Sequence, residues 1–501
     1  MSDSTNKKRP NVLFLLTDDQ RHDTIHALGN EAIRTPNLDR LAERGTAFTN
    51  AYIPGGTTSA VCMPSRGMIN SGRTLFHLEE NGRNIPECDI TMGQAFKNDG
   101  YCCYETGKWH NGTGSFARSF SDGAEIFFGG MWDHWNVPVC DYREDGVYDN
   151  MICFTPNFSA NQTPVKVLAD KIHAGVHSSE LFSDAAIDFI NGYDREEPFF
   201  MYVAFLAPHD PRTMPEEFRD MYDPADIELP PNFYPMPHIN FGWADKGRDE
   251  NVAGYPRQPE EIRQHIADYY AMISHADHCI GRIIKALEEK GELDNTIIVF
   301  CGDNGLAVGQ HGLMGKQNIY DHSVHVPLIM AGPGIPEGVR REQYVYLMDI
   351  YPSLCDLCGV EIPESVEGKS FARMFDDEKY VTREDLYLVF QARIRGVQDE
   401  RYKLIEYRSE ELKLTQLFDL KRDPWETLNF TGFSGYEEIT ERLRRRMEEY
   451  REEWGEEQHI YGQQYWQQWR NYEAGEVHGV DKPKGVNMMN QVKDWGLGKK
   501  K

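Results

Sequence analysis

Residues 11–19 read NVLFLLTDD, an apolar run without alternation that is closed by two adjacent carboxylates. Such a run predicts a strand buried on both faces, which belongs to a parallel sheet covered by helices. PNLDRLAERG (36–45) follows with helix periodicity and a terminal glycine. PFFMYVAFLAPHDP (198–211) reads as a second buried strand, stopped by Pro208. NTIIVFCGDNG (295–305) reads as a third, again with polar residues at its C-terminal end. Between these two, Ile262, Ile266, Tyr269, Ile273, Ala276, Ile280, Ile283 and Leu287 form one helical stripe across 259–290. Strands alternating with helices predict an α/β fold, a large mixed, mostly parallel sheet flanked by helices. From about residue 375 the texture changes. DLYLVFQARIRGVQDERYKLIEYR and LTQLFDL alternate like antiparallel strands, a charged helix follows over 437–454, and a Gly- and Lys-rich tail ends the chain. The expected organisation is a catalytic domain over 1–374 and a smaller C-terminal α+β domain, with an antiparallel sheet and extended tail, over 375–501.

Composition narrows the function. The chain has 501 residues, enough for a large core and a second, smaller domain. Lys plus Arg is 53 against 80 for Asp plus Glu, a formal charge of −27. That balance excludes nucleic-acid binding through a basic face and repels anions at long range, so an anionic ligand needs local cations. No window approaches the apolar length of a membrane span. MSDSTNKKRP leads into the first strand without the apolar core of a signal peptide, so a cytoplasmic protein is expected; the oligomeric state stays open. The ten cysteines are scattered, as in a reduced compartment. Cys355 and Cys358, a C-x-x-C within MDIYPSLCDLCGV, read as core packing on an amphipathic helix. The sequons at Asn111, Asn157, Asn161 and Asn429 carry no meaning without secretion. His275, Asp277 and His278 lie in the middle of the long helix and read as its polar edge.

The chemistry gathers at strand ends. In doubly wound sheets, ligands bind beyond the carboxyl ends of the strands. Two of the buried strands end in Asp18-Asp19 and Asp303-Asn304. Three carboxylates and an amide converging there repel one another unless a hard cation sits between them. Oxygen donors suit Ca2+, with Mg2+ as the variant, better than zinc; the competing reading is that each pair caps the following helix. Arg66 lies four residues after Cys62, Lys108 and His110 sit in ETGKWHNG, His209 in APHDP and Lys316 in GQHGLMGK. Together they resemble a cage for a tetrahedral oxyanion beside a metal. Trp132 and Trp135, in FFGGMWDHWNVP, belong to a loop suited either to stacking on a sugar or to internal packing.

These motifs, in this order, resemble the formylglycine-dependent (type I) sulfatases of the alkaline-phosphatase-like superfamily. TSAVCMPSRGMINSGR (58–73) carries the C-x-P-S-R core and the closing S-G-R of that family, and GYCCYETGKWHNG its G-K-W-H segment. PHDP, GDNG followed by HGLMGK, and LFDLKRDPWETLNF come next, so the resemblance covers most of 10–430. It implies that a formylglycine-generating enzyme oxidises Cys62, that the hydrated aldehyde attacks sulfur and expels the alcohol, and that sulfate then leaves as the hemiacetal collapses. It further implies that Asp18, Asp19, Asp303, Asn304 and modified Cys62 hold the cation and that Arg66 positions the diol. Lys108 and Lys316 would hold sulfate oxygens, His110 would act as the base for sulfate elimination, and His209 with Lys316 would assist the departing alcohol. His311 is a candidate substrate residue with Trp132 and Trp135. Asn70 stands where members carry an apolar residue, and His325 where arginine is common. The expected reaction is hydrolysis of a sulfate monoester, most naturally on a sugar. A phosphonate monoester or phosphodiester hydrolase with the same nucleophile is the alternative, and a glycan-binding member with unmodified Cys62 is a third reading.

Overall fold

The apolar run at 11–17 forms the strand Asn11–Thr17, buried along its whole length. It pairs in parallel with Phe199–Ala204 on one side and Thr296–Gly302 on the other. Leu13 and Leu15 enter one apolar core, Val12, Phe14 and Leu16 the other, which is why the run cannot alternate with polar residues. The coordinates, a computed structural model, describe residues 8–154, 164–239, 247–410 and 412–474. Asn157, Asn161 and the Gly- and Lys-rich tail therefore lie outside the described residues.

Cys102–Lys108 and Asp122–Phe127 continue the parallel array beyond Phe199–Ala204. On the far side His325–Ala331 enters antiparallel, and Gly45–Tyr52 pairs antiparallel with it. Val339–Arg341 and Val345–Tyr346 complete a nine-stranded sheet. The sheet is mixed and mostly parallel, as expected. The helices Pro36–Arg44, Ser178–Gly192 and Pro259–Lys290 cover one face; Cys62–Ser71, Met92–Asn98 and Ile350–Cys358 contribute to the core on the other.

The long helix has Pro259 in its first turn with Glu260 and Glu261, and Gly291 closes it in the left-handed conformation at φ 75°. Its middle corrects the expected polar edge: His278 is exposed, but His275 and Asp277 are buried. Asp277 accepts from the backbone N–H of Asn37 (3.1 Å) and Leu38 (2.7 Å), at the start of the helix Pro36–Arg44. Those N–H groups have no partner within their own helix, so a buried carboxylate that receives them ties two helices together. His275 Nε2 meets Glu180 Oε1 at 2.9 Å on the neighbouring helix. Cys355 and Cys358 are free and buried in the core, as read from their helix.

The C-terminal strands Asp385–Phe390, Ile394–Asp399, Tyr402–Arg408 and Lys413–Asp419 form an antiparallel sheet in sequence order. Its fifth strand comes from elsewhere: Gly55–Gly56 pairs in parallel with Asp385–Phe390. At Gly55 (φ +106°) an added Cβ would lie 2.0 Å from the Val389 carbonyl oxygen, so only glycine fits. The helix Glu437–Glu453 packs here, followed by Ile460–Glu473, a helix the sequence reading left out. One apolar core runs from Val12 to Trp469. The change of texture near residue 375 thus marks a change of sheet within a shared core.

Candidate active site

Parallel strands bring their C-terminal ends to one edge. Asp18 and Asp19 follow Asn11–Thr17, Lys108 ends Cys102–Lys108, His209 follows Phe199–Ala204 by a few residues, and Asp303 and Asn304 follow Thr296–Gly302. Cys62 is the first residue of the helix Cys62–Ser71, which is buried throughout, and Arg66 lies one turn further on the same side. The helix is docked on the strand ends. Arg66 Nη1 donates to the Lys108 carbonyl (2.8 Å), Ser65 Oγ to the Asp303 carbonyl, and Asn111 Nδ2 to the Met63 carbonyl (3.1 Å). Asn111, a sequon residue, is fully buried in this role. Asn70 Nδ2 donates to the Arg66 carbonyl at 3.0 Å, and His325 stacks between His22 and Tyr52.

The acids and cations interleave. Lys108 Nζ pairs with Asp18 Oδ2, and Lys316 Nζ with Asp19 Oδ1. Arg66 Nε donates to Asp303 Oδ2 at 2.7 Å, and its Nη2 lies 3.4 Å from Asp18 Oδ2. Asn304 Nδ2 donates to Asp19 Oδ1 (2.7 Å), and the Asp19 N–H to Asp303 Oδ1 (3.1 Å). His209 Nε2 stands 3.6 Å from Asp19 Oδ2. Cys62 Sγ completes the group, 3.7 Å from both Lys108 Nζ and His110 Nδ1. Asp18, Asp19, Arg66, Lys108, Asp303, Asn304 and Lys316 are essentially without solvent exposure.

Charge in such a place is costly, and the titration of each group shows how it is met. Burial alone would raise Asp18, but Lys108 and then Arg66 hold it far below the usual carboxylate range. Burial raises Asp19 against the pull of Lys316, and the charge on Asp18 adds to the rise. Asp303 is raised by burial and then by Asp18. Burial works against the charge on Lys316, yet Asp19 lifts it well above its ordinary value. Burial, then Lys108 and Arg66, keeps the His110 imidazole neutral; burial and Lys316 lower His209. Burial also pushes the Cys62 thiol up, with Lys108 and Lys316 offsetting only part of it, so the unmodified side chain is a neutral thiol and a poor nucleophile.

The residues fit a hard cation. Asp18 Oδ1 and Asn304 Oδ1 are buried acceptors without a hydrogen-bond partner, a costly arrangement that a cation relieves. Ligand atoms of Asp18, Cys62 and Asp303 lie within 4.8 Å of one another, as do those of Asp18, Asp19 and His209.

Above the group opens a cavity of about 540 Å3 with Cys62, His110, His209 and Lys316 at its base. Gly130 passes over the His110 ring so closely that an added Cβ would meet Nε2 at 2.8 Å. The three candidate substrate residues are not among its lining. His311 is buried, stacked on Tyr320 and bonded to Asn232 (3.2 Å). Trp132 packs edge-on to Phe154, and Trp135 edge-on to His177. The lining comes instead from residues that no motif marks: Met131, Arg248, Asp249, Gln317, and Phe390, Gln391 and Arg393 of the small sheet. His134 was missed too; it is fully buried, with Nε2 2.9 Å from the His209 carbonyl and Nδ1 2.8 Å from Ser178 Oγ.

Comparison with known proteins gives the family and the fold. The sequence model of the sulfatase family matches residues 10–360, and one described as the C-terminal part of N-sulphoglucosamine sulphohydrolase matches 309–453. The chain is 28% identical to an arylsulfatase of Clostridium perfringens, over 87% of this chain and 93% of the relative. It is 26% identical to an N-acetylglucosamine-6-O-sulfatase of Bacteroides thetaiotaomicron (88% and 86% covered). Identity to an ulvan-active sulfatase of Formosa agariphila is also 26% (95% and 86%). Among solved structures the fold is shared with a phosphonate monoester hydrolase of Agrobacterium radiobacter, at TM-score 0.69 and 21% identity over 89% of this chain and 96% of that one. It is also shared with a protein solved with its substrate D-glucosamine-2-N,6-O-disulfate, at TM-score 0.67 and 22% identity over 89% and 98%.

Proposed function

Because the chain belongs to the sulfatase family of sulfuric ester hydrolases, we propose that it removes sulfate from a sulfated carbohydrate, using formylglycine made from Cys62 by a maturation enzyme. The observation that carries this is the base of the cavity, where Cys62 Sγ is flanked at 3.7 Å by both Lys108 Nζ and His110 Nδ1 beside a buried acid cluster. The sugar reading draws support from relatives named for N-acetylglucosamine 6-sulfate and for ulvan. Asp18, Asp19, Asp303 and Asn304, with modified Cys62, would hold a divalent cation, which we take to be Ca2+ because the protein donors are oxygens. Formylglycine would supply a hydroxyl nucleophile from its hydrated aldehyde, and the cation would supply positive charge beside it.

The remaining work falls to the side chains. Lys316 and Lys108, already facing the acids, lie where they can accept the charge of sulfate oxygens as the S–O bond breaks. Arg66, fixed on Asp303 and the Lys108 carbonyl, holds the start of the helix on the strand ends. His110, kept neutral by its surroundings, is placed to take a proton next to residue 62. His209 has Nδ1 2.8 Å from the Asp210 carbonyl, so its N–H points there and Nε2 faces the cavity, where a leaving alcohol needs a proton.

The test is to coexpress the chain with a formylglycine-generating enzyme, follow the Cys62 peptide by mass, and assay sulfated sugars, aryl sulfates and phosphonate monoesters. Turnover of a sugar sulfate, lost in Cys62→Ala and lowered by chelation with Ca2+ restoring it, is expected. Preference for the phosphonate would move the assignment to the alternative chemistry. Equal activity with unmodified Cys62, or full activity in metal-free protein, would sink the mechanism.

A further inference from the structure

We infer that Glu250 is a positioning residue for Lys316: its carboxylate, braced by Arg257, clamps the irregular segment that carries Lys316 to the cavity. This rests on the reading above, in which Lys316 takes up charge from the sulfate oxygens. The two lysines at the site stand on unequal supports. Lys108 closes the strand Cys102–Lys108, whose backbone is fixed by pairing with Phe199–Ala204 on one side and Asp122–Phe127 on the other. Lys316 lies between the strand Thr296–Gly302 and the short helix Asp321–Val324, in a stretch that forms neither helix nor strand. A side chain carried on such a stretch needs other contacts to keep it within the ~0.5 Å that a working site demands.

Glu250 supplies them. It belongs to the short helical turn Asp249–Val252 and is buried. Its Oε2 accepts the Met314 N–H at 3.0 Å and its Oε1 the Gly315 N–H at 2.9 Å, so the two oxygens hold the two N–H groups directly before Lys316. Oε2 also receives Arg257 Nη2 at 2.5 Å and the Tyr255 hydroxyl at 3.1 Å. Four donors match the roughly four lone-pair sites of an ionised carboxylate. Arg257, itself buried, spans the same elements. Its Nη1 donates to the Glu250 carbonyl at 2.9 Å and to the Ala253 carbonyl, and its Nε to the Gly312 carbonyl at 3.2 Å. The pair thus grips the segment at 312, 314 and 315. Packing at Gly315 is close, since an added Cβ would lie 2.9 Å from Glu250 Oε1. After Lys316, Gln317 Nε2 donates to Asp249 Oδ2 at 2.7 Å and to the Ser59 carbonyl at 3.0 Å. Lys316 is therefore held from before and after in the chain while its Nζ reaches Asp19. Glu250 is not among the described lining residues of the cavity, so it acts on a ligand only through Lys316.

The experiment measures the Kd of inorganic sulfate by calorimetry on full-length Cys62→Ala protein at saturating Ca2+, so no turnover is involved. Glu250→Gln keeps the shape of the side chain but turns an NH2 group toward one of the two N–H donors. It should weaken sulfate binding roughly tenfold, and by nothing further in the Lys316→Ala background. In the Lys108→Ala background the same loss should persist, because Lys108 is held by its own strand. The sign discriminates as well: removing an acid near a cationic site would, by charge alone, tighten anion binding. Arg257→Lys keeps the charge beside Glu250 and drops the fork across Gly312 and Ala253. It should show a smaller loss with the same dependence on Lys316, and it carries the test where Glu250→Gln fails to fold. Unchanged or tighter binding, or an equal loss with and without Lys316 as a merely structural role predicts, overturns the clamp. Sulfate affinity that Lys316→Ala leaves unchanged overturns it too. Absence of sulfate-ester turnover by matured wild-type enzyme, with the coupling between Glu250 and Lys316 intact, would instead overturn the carbohydrate sulfatase reading and leave the clamp standing.

Discussion

Lys316 pairs with Asp19 and at the same time faces the cavity beside Cys62, so its charge serves acid cluster and ligand together. A charge-assisted bond at contact distance is worth roughly 1.5–3 kcal/mol, and about 1.4 kcal/mol is one decade of rate. Lys316→Ala should therefore lower kcat/KM by more than tenfold in matured enzyme, measured on one sugar sulfate at saturating Ca2+. His209→Ala separates substrates: an alkoxide leaves poorly without a proton and a phenolate leaves well, so the sugar sulfate should slow far more than nitrophenyl sulfate. Equal slowing would transfer the leaving-group role to Lys316. These side chains were legible because each sits in a short motif where residue type alone declares the chemistry. Arg248, Asp249 and Phe390 were not, since an arginine in GRDEN or a phenylalanine in LVFQ carries no local mark. Their meaning arises only from which wall the folded chain turns toward Cys62. His311 and the tryptophan pair mislead for the converse reason: polar and aromatic residues near a motif pack inward as readily as they face ligand.

Among the elements, the same contrast holds between long periodic segments and short irregular ones. The helix Pro259–Lys290 has the bounds its stripe predicts, and Asn11–Thr17 those of its apolar run. Gly45–Tyr52, GTAFTNAY, was unread because six of its eight residues are small or polar, although partners on both edges make it a strand. The buried polar residues of the long helix were misjudged because an acceptor for another helix's N–H groups looks, in sequence, like a wet edge. One of these ties predicts acid behaviour. Glu180 is lowered to about 2, chiefly by its hydrogen bond with His275, from an unfolded value near 4.3. A depressed carboxyl adds stability that is complete above about pH 4.3 and disappears as pH falls toward 2. Between pH 5 and 2.5 the melting temperature of the wild type should drop more than that of Glu180→Gln. Parallel curves would show that the pair contributes nothing.

At the scale of the whole molecule, the −27 charge and the buried cage act in opposite directions. The overall field repels a sulfated ligand at long range and is screened by salt, whereas the contact pairs at the base are screened little. Raising ionic strength to moderate levels should leave KM for a sulfated sugar unchanged or lower it; a several-fold rise would mean that long-range attraction dominates. The mostly parallel sheet and the antiparallel C-terminal strands were readable from alternation, or its absence. Their joining was not, because two glycines carry no strand signal and their partner strand is remote in sequence. That joining has a consequence in time. Cys62 lies a few residues beyond Gly55–Gly56, whose partner strand is synthesised more than three hundred residues later. At roughly 5–20 residues per second, synthesis leaves the segment without that neighbour for about 15–70 s. Any enzyme that oxidises Cys62 must read an open chain, and the folded protein leaves the residue only 3% exposed. On the maturation proposed above, the active fraction of a preparation would be decided by a race between that enzyme and folding, and a molecule that closes too early would keep its thiol.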